Sequence, residues 1–161
     1  YVRRHPEEDN AQLQRILGQT SGGLLHSAAE CGHTVAVRRL AADPGIDTAA
    51  KNEAGETALH VAVRKGFAES VRILLARGFD ANARSTTNNT PLHLAAATKN
   101  PAIARLLMAA GGDPNIRHDP SIDRYSGKQK PGLTPLEMSK FNREVLAILS
   151  SPPAPASSTA P

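Results

Sequence analysis

Apolar residues along this chain fall into short stripes with helical spacing. Gly and polar loops interrupt them at regular intervals. Leu59 and Ala62 precede Gly66; Val71, Ile73, Leu74 and Leu75 precede Gly78. The order returns with Leu92, Ala95 and Ala96, then Ile103, Leu106 and Leu107 before Gly111. Each window reads as two short helices, the first thin and Ala-rich, the second richer in large aliphatics. Near the start, residues 6–17 read as one amphipathic helix, with Leu13, Ile16 and Leu17 on one face and acids in the first turn. Near the end, residues 144–151 read as a shortened second helix carrying Val145, Leu146, Ile148 and Leu149.

The stripes repeat because the sequence repeats. Thr57-Ala58-Leu59-His60, Thr90-Pro91-Leu92-His93 and Thr134-Pro135-Leu136-Glu137 are three copies of one motif. Gly23-Leu24-Leu25-His26 is a weaker fourth. Their leucines are 34, 33 and 44 residues apart, and the last spacing becomes 33 once an 11-residue insertion is set aside. Thr57, Thr90 and Thr134 stand where a hydroxyl can cap exposed N–H groups. Pro91 and Pro135 follow at the first helical position, where the missing N–H does no harm. Gly32 and Gly66 suit the end of the first helix, Gly78 and Gly111 the end of the second. Asp80-Ala81-Asn82 and Asp113-Pro114-Asn115 then lead into polar hairpin-like loops.

This pattern resembles the ankyrin repeat, which has the same period and a Thr-Pro-Leu-His core. The resemblance covers roughly residues 18–150. It implies an all-α repeat solenoid of helix-turn-helix units joined by β-hairpin-like loops, about four ankyrin repeats with capping helices. The expected organisation is a capping helix or half-repeat at 1–17, a degenerate first repeat at 18–50, and repeats at 51–83 and 84–116. A fourth repeat at 117–150 carries the insertion at about 119–131, and 151–161 is a disordered Pro/Ala/Ser tail. Gly23 replaces the capping Thr in the first copy, and Arg39 stands where Ile73 and Leu106 do, so that copy should be looser. Lys99-Asn100 replaces the Gly-His turn of the third copy, and Glu137 replaces His in the fourth.

Composition narrows the possibilities further. The 161 residues are 40% hydrophobic but only 3% aromatic, with no Trp. A core this poor in rings suits small-residue helix packing, and it disfavours base stacking on single-stranded nucleic acid. Cys31 alone makes neither an internal disulfide nor a zinc ligand set. No apolar run approaches a membrane span. The chain starts at Tyr1, which leaves open a removed targeting segment or a larger parent chain; the resemblance favours an intracellular setting. A formal charge of +4 is mild, so direct nucleic-acid binding is disfavoured.

No catalytic or metal motif is present, and no cofactor is expected. The resemblance makes His26, His60 and His93 structural, bonding backbone and the capping Thr. His33 belongs to the turn, and His5 and His118 have no assigned role. Arg38, Arg72 and Arg105 recur at one position of the second helix that should face solvent. In ankyrin proteins partners contact the hairpin tips and first helices. Those positions here are Lys51, Glu53, Glu56, Arg64, Lys65, Arg84, Thr86, Thr87, Asn89 and Thr98, with Tyr125 in the insertion as a possible anchor. Lys51, Arg64, Lys65 and Arg84 make this surface basic, which favours an acidic partner. The expected function is a non-enzymatic protein-binding module: scaffold, adaptor or inhibitor, monomeric alone. The alternative is a regulatory segment of a larger enzyme, channel or transcription regulator.

Overall fold

The computed structural model of the protein describes residues 21–122 and 129–150. The helix expected at 6–17, Tyr125 and the tail at 151–161 lie outside the described residues. Four helix pairs follow one another: α1 (Ser21–Cys31) with α2 (Thr34–Ala41), α3 (Ala58–Lys65) with α4 (Ala68–Ala76), α5 (Pro91–Ala97) with α6 (Pro101–Ala109), and α7 (Pro135–Met138) with α8 (Arg143–Ser150). A 3-10 turn at Ser139–Phe141 joins the last pair. First helices stack on first helices in chain order, and second helices on second helices. This is a solenoid: each pair has an apolar side that only its neighbours cover.

The core runs continuously through the stack. Leu25, Leu59 and Leu92 are at most 1% exposed, as are Val37, Leu74 and Leu107 in the other layer. Full burial of one such leucine contributes about 1.5–3 kcal/mol. Ala29, Ala62 and Ala95 are also fully buried, and their small side chains bring the first helices close together. The row Arg38, Arg72 and Arg105 is exposed, as expected. Ser70 is the exception in the second layer. It takes the place that Ile103 fills in the next pair, and its buried hydroxyl has no hydrogen-bond partner among the described residues.

Helix ends follow the sequence closely. Gly66 and Gly32 leave their helices at φ 82° and 70°, in the left-handed region. Gly32 has a second reason to lack a side chain: a Cβ there would come within 2.7 Å of the Phe67 ring. Lys99 takes the same left-handed turn at φ 55° without glycine's freedom. Asn100 beside it compensates by capping α6, its side chain accepting the Ile103 N–H at 3.2 Å.

The first pair departs from the motif. Helix α1 already runs through Gly23, so this position does not cap a helix. Gly23 has no hydroxyl to hold the exposed N–H groups, and no Pro follows to stop the helix from continuing backwards. Arg39 is exposed, whereas Ile73 is buried in its place.

Candidate functional site

The loops between helix pairs form three hairpins of identical construction. Their bases are Asn52/Glu56, Ser85/Asn89 and His118/Leu133. In each, the first residue's N–H donates to the second residue's carbonyl, at 3.0, 2.9 and 3.2 Å. The 11 extra residues lie inside the third hairpin. A short antiparallel ribbon of β1 (Ser121–Ile122) and β2 (Gln129–Lys130) forms there, with Ser121 opposite Lys130. On either side of the insertion, the third and fourth helix pairs still stack first helix on first and second on second.

The recurring histidines lock these hairpins to the helices. His60 Nδ1 accepts the Thr57 N–H at 3.2 Å and lies 2.9 Å from Thr57 Oγ1. Its Nε2 then donates to the Asn89 carbonyl of the next hairpin, 3.0 Å away. His93 repeats the arrangement with Thr90, at 3.1 and 2.9 Å, and with the Leu133 carbonyl at 3.1 Å. His26 reaches the Glu56 carbonyl at 2.8 Å. Both nitrogens of His60 and His93 are therefore engaged while neutral. Burial lowers the pKa of both, that of His93 to about 4. In the last unit Glu137 accepts the Thr134 N–H at 2.9 Å, while Thr134 Oγ1 accepts the Glu137 N–H at 3.1 Å. The Thr134 N–H bond and Arg117 hold this carboxyl below the usual carboxylate range.

The hairpin tips also bond to one another. Thr86 donates its N–H and hydroxyl to the Ala54 carbonyl, at 3.3 and 2.8 Å. One repeat on, Asp119 N–H donates to the Thr87 carbonyl at 3.0 Å, and Asn88 Nδ2 to Asp119 Oδ1 at 2.6 Å. Gly55 permits the first contact, since a Cβ would meet Thr86 at 2.7 Å.

Among the residues expected to face a partner, Lys51, Glu53, Arg64, Lys65, Arg84, Thr86, Thr87 and Thr98 are exposed. Asn89 and Glu56 are half-buried, and both already bond within the hairpins. The basic character of this face is partly offset. Arg64 pairs with Glu56 at 3.2 Å, and Lys65 with Glu30 on the neighbouring first helix at 3.3 Å. Lys51 donates to the Arg84 carbonyl at 2.9 Å, and neither cation makes an ion pair among the described residues. Both border an open groove of about 420 Å³, together with Thr48, Asp80 and Asn82. Cys31 is exposed at the end of α1.

Among the described residues, no three His, Cys, Asp or Glu side chains are grouped to hold a metal. No described helix is long and apolar enough to cross a membrane. Asn52, Ser85 and His118 were not apparent as one set from the sequence. They are 33 residues apart, but their side chains differ, and only position marks them.

A protein-family model for ankyrin repeats, in three copies, matches residues 17–118. The chain belongs to the ankyrin-repeat family. Ankyrin repeats are protein–protein interaction modules. No curated protein matches the chain. The fourth helix pair lies beyond the matched residues, yet its Thr134–Glu137 box has the same construction as the ankyrin boxes before it.

Proposed function

We propose that this ankyrin array is a non-enzymatic scaffold, adaptor or inhibitor that holds its partner along the hairpin tips and the adjoining ends of the first helices. The observation carrying this reading is a division of labour among the polar groups. The Thr and His boxes are buried and bonded internally. The neighbouring tip residues Lys51, Glu53, Arg84 and Thr87 are exposed, and the side-chain bonds that Lys51 and Thr87 make lie at the surface, so these positions can vary at much less cost to the fold than the boxes. A surface that is free to change on a frame that is not is what specific recognition requires.

The partner favoured by this surface is acidic. Lys51 and Arg84 stand beside the groove, the Lys65–Glu30 pair is exposed, and Arg64 is exposed although its partner Glu56 is half-buried. An exposed pair such as Lys65–Glu30 contributes only about 0–1 kcal/mol, so an incoming carboxylate can displace Glu30 from Lys65. The test compares protein captured by the native array with capture by a triple variant, Arg64→Glu, Lys65→Glu and Arg84→Glu. The control reverses Arg38, Arg72 and Arg105 in the same way. Loss of a salt-sensitive partner in the first variant alone is expected. Equal capture by all three forms would overturn the proposal.

A further inference from the structure

The three hairpin bases share a second bond besides the ladder. In each, the side chain of the first residue accepts the N–H of the returning strand. Asn52 Oδ1 accepts the Glu56 N–H at 2.9 Å, Ser85 Oγ accepts the Asn89 N–H at 3.2 Å, and His118 Nε2 accepts the Leu133 N–H at 3.2 Å. The same returning residue gives its carbonyl to the histidine of the preceding unit. Each hairpin is thus clasped at one residue through both its backbone polar groups.

Only in the third hairpin is the acceptor titratable. His118 accepts at Nε2, so Nδ1 carries its proton and donates to the Asp119 carbonyl 2.6 Å away. His93 needs the opposite tautomer, accepting the Thr90 N–H at Nδ1 and donating from Nε2 to Leu133. The two rings meet edge to face with centroids 5.6 Å apart. We propose that this pair of neutral histidines is an acid-sensitive clasp, which opens the base of the inserted hairpin when His118 takes up a proton.

Protonation replaces the Nε2 lone pair by an N–H that points at the Leu133 N–H, two donors with no acceptor between them. The base then keeps the ladder bond from His118 N–H to the Leu133 carbonyl, the His93 bond to the same carbonyl and the Arg117 bond to the Gly132 carbonyl, but the Leu133 N–H has lost its acceptor. Leu133 adjoins Thr134, so the loosening reaches the cap of α7 directly. Among the described residues, the charged groups around the clasp are Arg84 on the second hairpin, Arg117 and Asp119 on either side of His118, and Glu137 on α7. Arg117 and Glu137 are paired with each other, and Asp119 accepts from Asn88. Burial opposes charge on His93, and so do the nearby His118 and Arg84. The first two hairpins, clasped by Asn52 and Ser85, have no such response.

Amide exchange measured by NMR tests this within one molecule. Lowering the pH from about 7.5 to about 5 should reduce the intrinsic-rate-corrected protection of the Leu133 amide about tenfold or more. Protection at Glu56 and Asn89 should change far less. Imidazole ¹⁵N shifts of native protein at the higher pH should show the Nδ1–H tautomer at His118. In His118→Gln, whose amide oxygen remains an acceptor at both pH values, the response at Leu133 should vanish. Equal loss of protection at all three amides, an Nε2–H tautomer at His118, or an unchanged acid response in His118→Gln would each overturn the clasp. None of these readouts needs a binding partner, so they stand or fall apart from the proposed interaction.

Discussion

The second and third units close their helix boxes with histidine, and the last unit closes its box with glutamate. All three side chains accept the N–H of the capping threonine. They differ in where the rest of the side chain goes. His60 and His93 reach forward and bond the carbonyl of the following hairpin. Glu137 reaches back to Arg117, in the hairpin that precedes it. One position thus performs two separable tasks, capping and joining. Histidine does both because its two nitrogens face opposite ways, one an acceptor and one a donor. A carboxylate can only accept, so it cannot bond a carbonyl ahead of it.

The largest effect should come from removing both tasks at once. His60→Ala leaves the buried Thr57 N–H without its acceptor, removes one donor from Asn89 and opens a cavity in a fully buried site. A loss of about 3 kcal/mol is expected in chemical denaturation. Glu137→Ala removes only a cap and an exposed pair, so its loss should be clearly smaller. Equal losses would show that joining forward contributes nothing.

Acid should also separate the two kinds of box. Folded His60 and His93 have pKa values below the ordinary 6.5, that of His93 about 4. Between these values the unfolded chain binds more protons than the fold. Stability from these residues is therefore complete above about pH 6.5 and is lost as the pH falls towards 4. Glu137 is depressed below 4.5, so its contribution is present above 4.5 and lost only as the pH drops through its lower folded value. The stability difference between native protein and a His93→Ala variant should accordingly begin to shrink below about pH 6.5, whereas that between native protein and Glu137→Ala should hold down to about pH 4.5. The reverse order would contradict the assignment of the histidines as neutral.

Much of this was legible in the sequence, because the repeat enforces the same physics at the same offset. Thr90, Pro91, Leu92 and His93 announce a cap, a first turn, a core residue and a structural histidine, and each has that place in the fold. Departures from the motif were harder to read. Gly23 stands at a capping position by alignment, yet it lies inside a helix, since capping depends on a hydroxyl that it lacks. His118 read as an unassigned loop histidine because its task is set by a backbone group 15 residues away, across the insertion. The expected basic face was visible as Arg64 and Lys65, but their pairing with Glu56 and Glu30 was not. Glu30 belongs to the preceding unit, and no local pattern pairs it with Lys65.

The helix after the box offers a last comparison, with the smallest effect. In the two full units this helix ends in a left-handed residue, Gly66 in one and Lys99 in the other. The last unit instead uses a 3-10 turn at Ser139–Phe141 and needs no positive φ. Lys99 therefore bears a strain that its counterparts avoid, since its Cβ disfavours this conformation. It is exposed, and its N–H donates to the Ala96 carbonyl at 3.3 Å, a bond that glycine would keep. Lys99→Gly removes the strain but adds backbone freedom to the unfolded chain, and these terms oppose one another. A net gain of about 0.5–1 kcal/mol is expected, because a non-glycine residue in the left-handed region costs about 1–2 kcal/mol and the added freedom of glycine costs about 0.5–1 kcal/mol. A loss of stability on this substitution, measured by thermal and denaturant unfolding, would mean that the lysine side chain holds the turn in a way its exposed position does not suggest.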